Sequence, residues 1–145
     1  MAMTFTRDLE PLTSSGLELE DPSRDLRGRD VRDRDNDRIG TVADLLIDPN
    51  LRVARLLVLE SGGGLLGMGK KQYLVPLEAV QDDGSQVRID RPRDEITAEP
   101  EYHLADGEEE ELQYMQTYTA YGIRPYWEVE AAPSSTTVEP GTGQT

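Results

Sequence analysis

From Asp30 to Pro92 the chain is written in short apolar runs separated by turn residues, and this texture narrows its choice of fold sharply. Runs too short for helices, spaced by Gly, Pro, Asn and Asp, are the pattern of a small all-β domain. Val31 to Asp33 reads as a first strand. Arg34-Asp35-Asn36-Asp37 reads as a turn, because Asn and Asp tolerate left-handed backbone and bond their own main chain. In the next run, from Ile39 to Ile47, the odd positions Ile39, Ala43, Leu45 and Ile47 are expected to share one face, with Asp44 and Asp48 on the other. Asp48-Pro49-Asn50 turns the chain again. Val53 to Leu59 is almost continuously apolar, which predicts a strand buried on much of both faces. A glycine-rich loop, Ser61 to Gly69, leads to a strand carrying Tyr73, Val75 and Leu77 on one face, with Pro76 confined to an edge or strand end. Asp82-Asp83-Gly84 then makes a hairpin turn before Val87 and Ile89. The expected fold class is mainly β: a small barrel of about six short strands, with a C-terminal helix and acidic, partly disordered tails.

The flanks differ from the middle. Residues 1–23 lack periodicity and hold Pro11, Gly16 and Pro22, so they are expected to form an extended arm pinned loosely by Leu9, Leu12, Leu17 and Leu19. Residues 24–98 form the barrel. Residues 99–130 form a C-terminal extension with a helix near 108–121, and residues 131–145 are rich enough in Pro, Ser, Thr and Gly to be disordered. In the helix, Glu108 to Glu111 suit the positive end of the helix dipole and Gly122 suits its stop. Leu112, Met115, Tyr118 and Tyr121, at three-residue spacing, are expected along one side.

Charge and composition exclude several classes of function. Residues 1–23 carry one Arg against five acids, residues 24–98 carry 13 basic against 14 acidic residues, and residues 99–145 carry only Arg124 against 10 acids. Acidic flanks repel phosphate and anionic lipid, so direct nucleic-acid binding is not expected. The arginines of the middle segment alternate with aspartates, as on solvated strand faces. With no cysteine and one histidine, the chain has no thiol nucleophile, disulfide, Cys-based zinc site or iron–sulfur cluster. No apolar run approaches the ~18 to 20 residues of a membrane span, and the N-terminus lacks a signal-peptide pattern. A cytoplasmic location without membrane insertion is the expectation.

Three motifs tempt a sharper reading. Gly62-x-Gly64-x-x-Gly67 matches a dinucleotide fingerprint, and Gly64 to Lys70 matches most of a P-loop. Both need a helix after the loop, whereas Gln72 to Leu77 reads as a strand, so a hairpin loop is expected. Asp33-x-Asp35-x-Asp37 imitates the start of a calcium loop, but Arg38 stands where glycine is required and the flanks are strands. A solvated turn is the simpler reading, with weak divalent-ion binding left open. His103 has no nucleophile beside it. No catalytic, cofactor or metal-binding residue is assigned, and no enzyme activity is expected. Candidate partner-binding residues are Leu65, Leu66 and Met68, apolar between glycines, and Tyr118, Tyr121, Tyr126 and Trp127 of the aromatic C-terminal segment. Both groups have an inward alternative. The loop tip could tuck over the barrel end, and the aromatic segment could cap the barrel of its own chain or that of a second copy.

The stretches Asp25-Leu26-Arg27-Gly28-Arg29-Asp30-Val31, Arg38-Ile39-Gly40-Thr41-Val42-Ala43-Asp44-Leu45-Leu46-Ile47-Asp48, Val53 to Leu59, and Tyr73-Leu74-Val75-Pro76-Leu77 together resemble the PRC-barrel. This β-barrel takes its name from the cytoplasmic domain of the photosynthetic reaction centre H subunit and is similar to the C-terminal domain of the ribosome maturation factor RimM. The likeness covers residues 24–98, and the flanking Leu9-Glu10-Pro11-Leu12 and Ala98-Glu99-Pro100-Glu101-Tyr102 look like edges of free-standing bacterial members often linked with stress responses. The resemblance implies a non-enzymatic interaction or regulatory module, self-associating as a homodimer or binding a protein partner. Its alternatives are a soluble accessory of photosynthetic electron-transfer complexes and a ribosome-assembly factor. Gly28 and Gly40 flank the first hairpin, where a tightly coiled barrel needs residues without a Cβ.

Overall fold

The turn and strand signals of the middle segment resolve into one curled sheet in a computed structural model that describes residues 9–62, 69–105 and 107–131. Its strands are β1 (Glu10–Pro11), β2 (Asp30–Arg32), β3 (Arg38–Asp48), β4 (Val53–Ser61), β5 (Lys71–Pro76), β6 (Val80–Asp82) and β7 (Val87–Ile89). The helices are α1 (Leu12–Ser15), α2 (Arg93–Ile96), α3 (Gly107–Tyr121) and α4 (Tyr126–Ala131). Six strands run in the order β5-β4-β3-β2-β7-β6 as a half-open barrel, and the short β1 pairs with the far end of β3. Every pairing is antiparallel except β2 with β7.

β3 and β4 are buried on both faces, and their side chains divide between two separate cores. Val42, Leu45, Ile47, Leu57 and Leu59 point into the curl, where they meet Val31, Val75, Val87 and Ile89. Leu46, Leu56 and Val58 point the other way, toward the C-terminal extension. The alternation within β4 matches the expectation for a strand buried on both sides. β3 departs from simple period two. Val42 pairs with Leu59 and Asp44 pairs with Val58, so Ala43 is an extra residue in a β-bulge. A second irregularity leaves Ile39 unpaired against β2, and together the two shifts put Ile39, Val42 and Leu45 inside, while Ala43, expected beside them, packs against the other core.

Gly40 is a steric requirement of this coiling. A Cβ there would fall on the carbonyl oxygen of Glu60 on the neighbouring strand. Gly28 meets a different need, a left-handed backbone with φ of 85°.

From Leu9 onward the N-terminal arm is held against the barrel. Leu9 and Leu12 are buried, and the Thr13 main-chain N–H and hydroxyl both donate to Asp44 Oδ1, at 3.1 and 3.0 Å. Arg27 Nη1 donates to the same threonine hydroxyl at 3.1 Å. The bulge therefore has a second effect, since it presents Asp44 to the arm while its neighbours stay in the core.

Candidate functional site

The distinctive part of the chain is the extension laid over the outside of β3, β4 and β5. α3 begins at Gly107, whose φ of 57° suits glycine, and its first turn holds Glu108, Glu109 and Glu110. Two of these acids face solvent, where they complement the helix dipole, and Glu110 does not. Its buried carboxylate accepts hydrogen bonds from Tyr102 Oη at 2.7 Å, Tyr114 Oη at 2.8 Å and the Ala105 N–H at 2.9 Å. A buried anion is tolerated when its lone pairs are filled, and this one has three good donors. Burial pushes both phenols far above the ordinary tyrosine range, and the Glu110 carboxylate pushes them further.

The buried face of α3 is Glu110, Tyr114, Thr117, Tyr118 and Tyr121. The expected stripe of Leu112, Met115, Tyr118 and Tyr121 is not one face. At about 100° per residue, three-residue steps slip back by about 60° each, so the two ends of that stripe lie on opposite sides of the helix. Leu112 and Met115 accordingly stand in solvent, 57% and 38% exposed.

Of the seven partner-binding candidates, the structure buries four in the interior of their own chain and brings three of them together. Tyr118, Tyr126 and Trp127 pack with Leu46, Leu56, Val58 and Leu74 in the second core, and Tyr121 reaches the first. Trp127 meets Tyr118 and Tyr126 edge-on, with ring centroids 5.8 and 5.0 Å apart. The Arg55 guanidinium, on the residue left over where β4 slips against β3, lies 4.6 Å from the Tyr126 ring centroid. The arrangement is the own-chain capping alternative, and it leaves these four rings almost no surface to offer a partner. The other three candidates, Leu65, Leu66 and Met68, lie outside the described residues. The ends of their loop are close together: Gly62 has φ of 89°, and a Cβ there would press on the Gly69 carbonyl.

One corner of the extension is less well satisfied. The buried Tyr121 hydroxyl has only the Glu99 carboxyl beside it, and the Tyr118 hydroxyl, buried apart from it in the second core, has no hydrogen-bond partner. Glu99 is half-buried beside Tyr121, in an open cleft of about 400 Å³ that Arg91, Glu95, Ile96 and Pro100 also line. Burial pushes its carboxyl up to about 7, against the weaker pull of the nearby Tyr121 hydroxyl and Arg91. Arg91 itself is anchored. It donates to the Tyr121 carbonyl at 2.8 Å, stacks 4.9 Å from that ring's centroid and pairs with Glu95.

The remaining motifs resolve as parts of the framework. Asp33 is buried, and its carboxylate accepts from the main-chain N–H groups of Asp35, Asp37 and Arg93, which ties the first turn to α2. The glycine loop runs into β5, a strand, as expected of a hairpin. His103 is exposed, and its main chain is bracketed by the Gln113 amide, which donates to its carbonyl and accepts from its N–H. Among the described residues, no three His, Asp or Glu side chains converge where they could hold a metal ion. Nor is any described helix long and apolar enough to cross a membrane.

Sequence reasoning missed Glu110, which looks like any other member of an acidic run, and Glu99, whose half-buried position depends on where α3 lands. The α4 turn carried only an indirect signal, the Pro125-Tyr126-Trp127 cluster.

Among curated proteins none matches the chain. A family model does match, over residues 19–96, which is the span from the end of the arm through the last turn of α2. The match coincides with the strands that enclose the first core, and the chain belongs to the PRC-barrel domain family.

Proposed function

We propose that the chain is a non-enzymatic protein-interaction module of the cytoplasm that associates with itself, and that it makes contact through the solvent side of α3. The observation that carries this reading is the pair Leu112 and Met115. They stand one helical turn apart on the side of α3 turned away from the barrel, beside the exposed Glu108 and Glu109. Large apolar side chains held on a rigid helix lose little entropy on binding, and an acidic margin restricts what can approach. Leu65, Leu66 and Met68 enter on sequence alone, as three apolar residues on a loop whose ends are clamped at Gly62 and Gly69.

Sedimentation velocity over a wide concentration range tests the proposal. The expected result is reversible association that weakens at least about tenfold in the double variant Leu112→Glu, Met115→Glu, with circular dichroism unchanged. The serine triple variant at Leu65, Leu66 and Met68 tests the loop in the same assay. A wild-type chain that stays monomeric throughout, or a double variant that associates as before, contradicts the assignment.

A further inference from the structure

The two cores are unequal in what they depend on. The first is built from the arm and the strands of the matched family region, and the extension adds only Tyr121 and a margin of Ile123. The second exists only because the extension is there, since Tyr102, Tyr114, Tyr118, Tyr126 and Trp127 supply one whole side of it. Removing the extension would uncover Leu46, Leu56, Val58 and Leu74 and leave the first core nearly intact. Regions of low local stability open before the rest of a fold does.

The seam of this cover shows where opening starts. At its Glu110 end the buried carboxylate accepts from Tyr102, Tyr114 and the Ala105 N–H. At its Tyr121 end, the buried Tyr121 hydroxyl has only the half-buried Glu99 carboxyl beside it, and both residues line an open cleft. We propose that the C-terminal extension is a releasable cover over the outer face of β3, β4 and β5, and that ionisation of Glu99 loosens it. The proposal goes beyond the choice of partner and holds whichever surface associates. The charged and titratable groups facing Glu99 are Tyr121 from α3 and Arg91 from the segment after β7, and Glu95 of α2, paired with Arg91, lines the same cleft.

The sign follows from burial. A carboxyl raised from 4.5 to about 7 in the folded chain favours docking when protonated, and that contribution is lost as pH rises through this window. The cover is therefore tight on the acid side and looser above neutrality.

Trp127 reports directly on the cover, since it is the chain's single tryptophan and lies in the second core. The test is acrylamide quenching of Trp127 in the full chain between about pH 5.5 and pH 8.5, with amide exchange at Leu57 and Val75 followed in parallel as a monitor of the barrel. Quenching is expected to rise several-fold with a midpoint near 7, while the Leu57 and Val75 amides keep their protection after correction for intrinsic rates. Glu99→Gln is expected to hold the low-pH value throughout, and His103→Gln to titrate like wild type. The proposal is overturned if wild-type quenching is flat, if His103→Gln rather than Glu99→Gln removes the transition, or if barrel amides lose protection together with Trp127.

Discussion

Tyr102 and Glu110 are joined by a buried hydrogen bond of 2.7 Å, with the phenol donating to the same carboxylate oxygen that accepts from Tyr114. Tyr102 precedes α3 and also fixes the extension to the barrel, because its main-chain N–H donates to the Gln72 carbonyl of β5 at 2.7 Å. Glu110 thus fastens the start of the helix to the segment that already holds the sheet edge. Glu110→Ala strands two buried phenols and a main-chain N–H, and is expected to cost about 3 kcal/mol. Glu110→Gln keeps an acceptor and should cost about 1 kcal/mol. Urea unfolding read by Trp127 fluorescence distinguishes the two, and equal losses would contradict the hydrogen-bonding account.

Gly40 has no room for a side chain. Because the obstacle to a side chain there is the Glu60 carbonyl of β4, not the tip of a flexible side chain, Gly40→Ala forces the two strands apart. A loss of about 3 kcal/mol is expected. A thermal midpoint within a degree or two of wild type would show that the crossing has slack.

Arg52 occupies left-handed backbone with φ of 58° in the turn between β3 and β4. Its N–H donates to the Asp48 carbonyl at 2.7 Å and its own carbonyl accepts from Glu20 at 2.8 Å, so the main chain holds the conformation. Arg52→Gly removes the Cβ strain and keeps both bonds. Even after the extra entropy of glycine in the unfolded chain, a gain of about 0.5 to 1 kcal/mol is expected. Denaturant titration showing a loss of that size would mean that the arginine side chain contributes more than its backbone costs.

Asp33 carries an acid-side dependence. Burial alone would raise its pKa, but the main-chain N–H groups of Asp37, Arg93 and Asp35 outweigh that and hold it below the ordinary 3.8. A depressed carboxyl contributes stability above its unfolded value and loses it as pH falls through the folded one. Asp33→Asn is therefore expected to be less stable than wild type at neutral pH by an amount that shrinks below 3.8. A gap that stays constant down to the acid transition would assign the effect to shape instead of charge.

Much of this architecture is legible in the amino-acid sequence, because strand signals are local. The apolar run from Val53 to Leu59 announces a strand buried on both faces, and β4 is one. The features that are not legible depend on long-range geometry. The bulge at Ala43 changes the phase of β3 only because β4 pairs with it in that register. The helix near 108–121 shows in the sequence, but its buried face does not, since the aromatic spacing fits more than one face and Glu110 lies within a run of four acids. α1 and α2, of four residues each, are set by docking rather than propensity, so they leave little trace in the sequence.

The second core is made by a single chain, and dilution tests that directly. Trp127 emission and quenching should be followed down to concentrations at which sedimentation shows only monomer. If the extension covers its own barrel, Trp127 stays blue-shifted and protected in the monomer. Exposure of Trp127 in step with dissociation would mean instead that the cover comes from a second copy.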